Sequence, residues 1–266
     1  MREMLPKKNS QGKSAVMLTE EQKYLFDTRG WLLVSNALSE AETAEMRDYC
    51  YRLHTDANSL PASQRSSIGG PLLALADHPV VVGFMNEFVA DPYIWSENGY
   101  GFRLENSFLA LRKAGSTNFS PHGGGGLDSF GYNSHLYRQA HNSVYAGLTR
   151  AVWELNPVKR GAGGTKFLTG SHKAAFDAPA SVQNEDSPLW EDYECPAGSV
   201  LFFTEGITHT GARWTDATHD RVAVFNCHNS IGSRWHNWEP SAEALAAMSP
   251  LQRSLFRPVC CDRNKM

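Results

Sequence analysis

No run in this chain approaches the roughly 18 apolar residues that a membrane span needs. No apolar stretch follows the polar, lysine-bearing segment 1–15. The sequence therefore predicts neither a membrane span nor a secretory leader. An excess of one charge is also missing. Its 25 Lys and Arg against 28 Asp and Glu leave a net charge of −3. That balance gives no electrostatic footprint for nucleic acid or an anionic membrane. Cysteine is scarce: five in 266 residues, an odd number, with only Cys260 and Cys261 adjacent. The pattern predicts reduced thiols in a cytoplasmic protein rather than a disulfide framework. Repeats, low-complexity tracts and a second domain are absent as well. The 41% hydrophobic and 20% charged composition fits one large domain over 19–266 behind a flexible arm over 1–18.

Helix signals are present at the start of the chain. Thr19-Glu20-Glu21-Gln22 and Ser39-Glu40-Ala41-Glu42 read as capping boxes, and Gly30 as the C-terminal cap of the first helix. Trp31–Val34 reads as a short strand between them. In the second helix Met46, Tyr49, Cys50 and Leu53 share one face. A further helix is expected through Val80–Val89, ending before Asp91-Pro92. From Gly101 onward strands dominate: Phe102–Leu111, an alternating run over Val144–Trp153, Val200–Thr204 and Arg221–Cys227. The tail over Pro240–Phe256 reads as helical. This order predicts a mainly β fold with flanking helices around a double-stranded β-helix, or jelly-roll, core.

Chemistry concentrates in two places. Pro121-His122-Gly123-Gly124-Gly125-Gly126-Leu127-Asp128-Ser129-Phe130 sets one histidine beside four glycines. Far downstream His209 is followed, 221 − 209 = 12 positions later, by Arg221 in an apolar β-branched run. Neutral imidazole is a good ligand for Fe(II). On the residues alone, a metal pair and two ordinary structural histidines stand level. Among the ten histidines no two have His-x-His spacing, which argues against a cupin metal motif. Of the others, His172 in Gly170-Ser171-His172 reads as a structural hydrogen-bonding residue, and His228 as a weak alternative ligand.

Two histidines on separate strands with an Arg a dozen residues after the second resemble the Fe(II)/2-oxoglutarate-dependent oxygenases. Within them the phytanoyl-CoA dioxygenase-like family fits best, helped by the Gly164-to-His172 strand and turn. The resemblance implies that His122 and His209 hold Fe(II), that 2-oxoglutarate and O2 are co-substrates, and that the substrate is a small molecule. It also implies that Arg221 forks onto the distal carboxylate of 2-oxoglutarate, a bidentate geometry that guanidinium supplies. Lys113 and Trp153 are further co-substrate candidates.

The family's first motif is His-x-Asp, completing a two-histidine, one-carboxylate facial triad. Here the third position is Gly124. The same substitution resembles the iron halogenases of this group, in which chloride fills the place of the carboxylate. His122-Gly123-Gly124 therefore points to halogenation, with Gly124 as the halide position and an amino-acid-like or nucleotide substrate. Arg103, Arg112, Arg138 and Arg150 are placed near the mouth, where they would suit an anionic group. Two other readings stay open. In one the enzyme is a hydroxylase whose third ligand is a displaced Asp128 or water. In the other the protein binds metal without catalysis.

Overall fold

In the computed structural model, which describes residues 5–90, 99–123 and 135–259, both capping boxes form. The Thr19 hydroxyl accepts from the Gln22 amide and the Gln22 side chain accepts from the Thr19 amide, opening α1 (Glu20–Arg29). Gly30 closes that helix in the left-handed conformation. After β1 (Trp31–Val34), Ser39 and Glu42 open α2 (Glu40–Thr55) in the same way. Each such cap is worth about 1 kcal/mol. Helix α2 buries Met46, Tyr49 and Cys50, with Leu53 half-buried at the margin.

Helix α3 (Pro79–Phe88) is apolar almost all round, and such a helix must be enclosed. It lies between α1 and the sheet: Phe26 contacts Phe84 and Phe88, and Phe84 stacks on Phe202 with ring centres 4.0 Å apart. In residues 5–18, where the sequence predicts a flexible arm, Leu5 and Leu18 are buried. There Ser10 donates to Asp77 and the Val16 amide bonds to the Pro79 carbonyl.

The strands that follow are β2 (Phe102–Arg112), β3 (Arg138–Ala140), β4 (Ser143–Tyr145), β5 (Thr149–Glu154), β6 (Thr165–Phe167), β7 (Ser199–Thr204), β8 (His209–Gly211) and β9 (Arg221–Ser230). The run expected as one strand over Val144–Trp153 is instead divided between β4 and β5, because Gly147 turns the chain with φ +65°. Two short helices, α4 (Ala242–Ala247) and α5 (Pro250–Arg253), make up the tail.

Five strands form one antiparallel sheet in the order β1-β7-β5-β9-β2, and β6 pairs with β8. Strand alternation sorts the large sheet into two faces. Leu32, Ala151, Trp153, Val200, Phe202, Val222 and Val224 join the helices in one core. Trp31, Val152, Leu201, Phe203, Ala223 and Phe225 face the other way, against Phe167 of β6 and Trp214. Trp31 and Phe203 each lie 5.2 Å from the Phe167 ring, so the small sheet closes over the large one as a jelly roll. A bulge in β2 between Leu104 and Asn106 shifts its register on β9. Phe102 and Leu104 before it and Leu109 and Leu111 after it can then all meet the helix-side core. Phe108, Ala110 and Arg112 turn into the roll.

Candidate active site

His122 and His209 are brought together by backbone pairing. The His122 amide donates to the His209 carbonyl at 3.1 Å, and the His209 amide returns a bond of 2.9 Å. The two ring centres are 4.2 Å apart. Thr208 and Thr210 fasten the flanks, Thr208 donating to the Gly123 carbonyl and Thr210 accepting from the Ser120 amide. Gly123 has φ +71°, a left-handed conformation that favours glycine. A Cβ there would meet the Ile207 carbonyl oxygen at 2.6 Å and that of Glu205 at 2.8 Å. Its absence lets the two segments lie edge to edge.

Both imidazoles are oriented alike. His122 Nδ1 lies 2.7 Å from the Ser120 carbonyl oxygen and His209 Nδ1 lies 2.9 Å from that of Ile207. A carbonyl can only accept, so Nδ1 carries the proton and each Nε2 presents a lone pair, the arrangement a metal-bound histidine needs. Burial holds the His209 pKa down at about 4, so the imidazole stays neutral.

A carboxylate completes the cluster. Glu205, at the end of β7, points into the space between the histidines. Its Oε2 is 3.7 Å from His209 Nε2, and one ligand atom from each of His122, Glu205 and His209 lies within 4.8 Å of the others. Arg150 of β5 holds Glu205 Oε1 in a close ion pair. Burial pushes the Glu205 pKa up, but Arg150 and then His209 outweigh it and keep the carboxyl at about 2. These groups line a cavity of about 110 Å³, together with Arg112, Thr165 and Phe203.

Arg221 lies beneath this cavity, in a buried network. Its Nε donates to Glu154 Oε2 at 3.3 Å, and its Nη2 bonds Glu154, Tyr193 and Thr165. Glu154 also accepts from the Tyr193 hydroxyl at 2.6 Å. Arg221 is 1% exposed and Glu154 fully buried. Glu154 keeps the guanidinium charged well above the usual range against the opposing effect of burial. Only Nη1 of Arg221 lacks a partner among the described residues. Directly across the ladder from Arg221 stands Arg112, which does line the cavity. Its Nη1 is also buried and without a partner among the described residues. Burial and then repulsion from Arg221 lower the Arg112 pKa to about 10. An anion in the cavity would give Arg112 Nη1 a partner.

The other expected residues are spread out. Trp153 is on the helix side of the sheet, edge-on to His78, because alternation puts it on the face opposite Glu154 and Val152. Lys113 is exposed just beyond β2. Gly124 and Asp128 lie outside the described residues. His228 faces the helices, where its Nε2 donates to the Ala76 carbonyl. His172 makes the expected structural bond, to the Asp27 carbonyl at 3.0 Å. The four arginines placed at the mouth do not gather: Arg103 donates to the Arg257 carbonyl, Arg138 is in the exposed β3, and Arg112 and Arg150 reach the cavity.

Glu205 carries no motif of its own. Its one signal is an acid directly after the strand Ser199–Thr204, four positions before His209. A strand end is where side chains leave the packed layer and can enter a cavity.

No protein-family model matches the chain, and no curated protein matches it. Among solved structures it is similar to HygX from Streptomyces hygroscopicus with nickel and 2-oxoglutarate bound. That pair shares 21% identity at a TM-score of 0.66, over 85% of this chain and 94% of that one. It is also similar to SnoK from nogalamycin biosynthesis, a non-heme alpha ketoglutarate dependent carbocyclase. The identity there is 15% and the TM-score 0.58, over 89% of this chain and 94% of that one. EctD from S. alaskensis, with 2-oxoglutarate and 5-hydroxyectoine, aligns at 14% identity and a TM-score of 0.57, over 80% of this chain and 77% of that one. At these identities the likeness establishes a shared fold.

Proposed function

We propose that the chain is an Fe(II)/2-oxoglutarate-dependent oxidoreductase acting on a C–H bond of a small molecule. The observation that carries this reading is the pair of imidazoles with both Nδ1 atoms tied to carbonyls, lining a cavity that also holds Arg112, whose buried Nη1 has no partner among the described residues. Nitrogen donors with a carboxylate beside them suit Fe(II), and a buried cation suits a dicarboxylate. HygX and EctD, whose fold is shared, were solved with 2-oxoglutarate bound.

His122 and His209 would hold the metal, which supplies O2 activation coupled to oxidative decarboxylation of 2-oxoglutarate. The chain's own residues perform the rest. Arg112 Nη1 takes the distal carboxylate of the co-substrate. Arg221, held by Glu154 through Nε and Nη2, remains a buried structural cation on the strand opposite Arg112. Phe203 and Phe225 give the cavity apolar walls that limit water. The phytanoyl-CoA dioxygenase-like grouping rests on the two sequence motifs.

Halogenation is a second reading, favoured by His122-Gly123-Gly124, where no carboxylate occupies the usual triad position. Its balance is RH + Cl⁻ + H⁺ + O2 + 2-oxoglutarate giving RCl + H2O + succinate + CO2. Purified protein supplied with Fe(II), 2-oxoglutarate and O2 should release succinate, and His209→Ala should not. Succinate at equal rates from both would refute the first reading. Turnover of candidate nucleotides and amino acids in bromide, followed by mass spectrometry, separates the two outcomes at carbon.

A further inference from the structure

The sequence places no carboxylate at position 124, yet the structure brings one to the histidines from the other side. Glu205 is 7% exposed, and its two oxygens have different neighbours. Oε1 is taken by Arg150, whereas Oε2 lies 3.7 Å from His209 Nε2. A structural Arg–Glu pair would gain most from a fork–fork contact using both oxygens. Here Arg150 grips one and leaves the other aimed at the two imidazole lone pairs.

We infer that Glu205 is the third metal ligand, forming with His122 and His209 a facial triad whose carboxylate lies four residues before the second histidine. The inference rests on the iron-site reading above. Its construction is local. The loop from Glu205 to His209 is four peptide bonds long, and the Ile207 carbonyl inside it orients the His209 ring. Close packing of Gly123 on the Glu205 and Ile207 carbonyls sets His122 against the same loop. Arg150 plays the outer role that hydrogen-bonded partners of metal carboxylates usually fill, fixing the rotamer through the oxygen the metal does not use.

With Glu205 beside His122 and His209, the chain itself would supply the anionic ligand that a halide would otherwise provide, and the site would favour hydroxylation: RH + O2 + 2-oxoglutarate give ROH + succinate + CO2.

The test uses Co(II) as a spectroscopic stand-in, titrated into the full-length protein, Glu205→Gln, Glu205→Ala and His209→Ala, with circular dichroism to confirm folding. Loss of an outer partner already costs 10–100-fold in metal affinity. Both Glu205 variants should therefore bind Co(II) about 100-fold or more weakly. Wild-type affinity in both Glu205 variants would overturn the inference. Should Glu205→Ala fail to fold, the Co(II) isotherm of Glu205→Gln, which keeps the side-chain volume and removes the charge, decides the matter. Unchanged Co(II) binding by His209→Ala would instead defeat the metal-site reading itself.

Discussion

Replacing Arg221 separates a structural cation from a co-substrate anchor. Arg221 is 1% exposed and Glu154 is fully buried, with contacts from Nε and Nη2 to the same carboxylate. At a separation of about 3 Å and an effective dielectric of about 20, their attraction is on the order of 5 kcal/mol. Arg221→Met removes that attraction and strands a buried carboxylate, with the Tyr193 hydroxyl left to donate to it. Breaking a buried pair from one side costs about 3–5 kcal/mol, a large part of the roughly 5–15 kcal/mol that holds a protein folded. Urea unfolding should show that loss. The double variant Arg221→Met/Glu154→Met should recover most of it, since replacing both partners with apolar groups is often close to neutral. Arg112→Met should leave the unfolding midpoint nearly unchanged. Its 2-oxoglutarate affinity, measured calorimetrically with Mn(II), should fall by tens to thousands of fold, as for an unpaired buried charge worth about 2–5 kcal/mol. If Arg221→Met were as stable as wild type and alone lost 2-oxoglutarate, the division of labour between the two arginines would be refuted.

Gly123→Ala adds a methyl 2.6 Å from a backbone oxygen at φ +71°. The strain of about 1–3 kcal/mol should part the His122 and His209 segments and lower Co(II) affinity at least about tenfold; an unchanged binding isotherm would contradict the packing described. Buried His172 and His228 have their pKa values lowered to about 4, by desolvation in the first place. The unfolded chain therefore binds protons that the folded chain refuses between about 6.5 and 4. Stability should be full above pH 6.5 and fall as pH drops through that window, by up to about 1.4 kcal/mol per pH unit for each histidine. Urea midpoints at pH 7 and pH 5 measure it, His228→Gln should reduce the loss, and a pH-independent midpoint would show that these histidines protonate in the folded state.

Much of the scaffold was legible because its signals are local. Thr19 and Ser39 cap helices through contacts three residues away. The alternation in β5, β7 and β9 sorts side chains between two cores without help from distant sequence. The histidine pair was legible only through the spacing of Arg221 and the glycines after His122. Glu205 and Arg112 were harder to read because their roles depend on which strand lies opposite which. The pairing of Arg221 with Glu154 is hidden until β5 is laid beside β9. Trp153 looks like a pocket residue until the pleat turns it toward His78. The bulge at Leu104 and Asn106, which directs Arg112 inward, leaves no mark in the sequence.

The central claim, one metal shared by His122 and His209, is tested most directly by anomalous diffraction at the iron edge. The crystals would be grown anaerobically with Fe(II) and 2-oxoglutarate. A single strong peak within bonding distance of both Nε2 atoms, with 2-oxoglutarate density running from it toward Arg112, is the predicted result. Iron bound elsewhere, or crystals containing 2-oxoglutarate but no peak between the two imidazoles, would contradict the account.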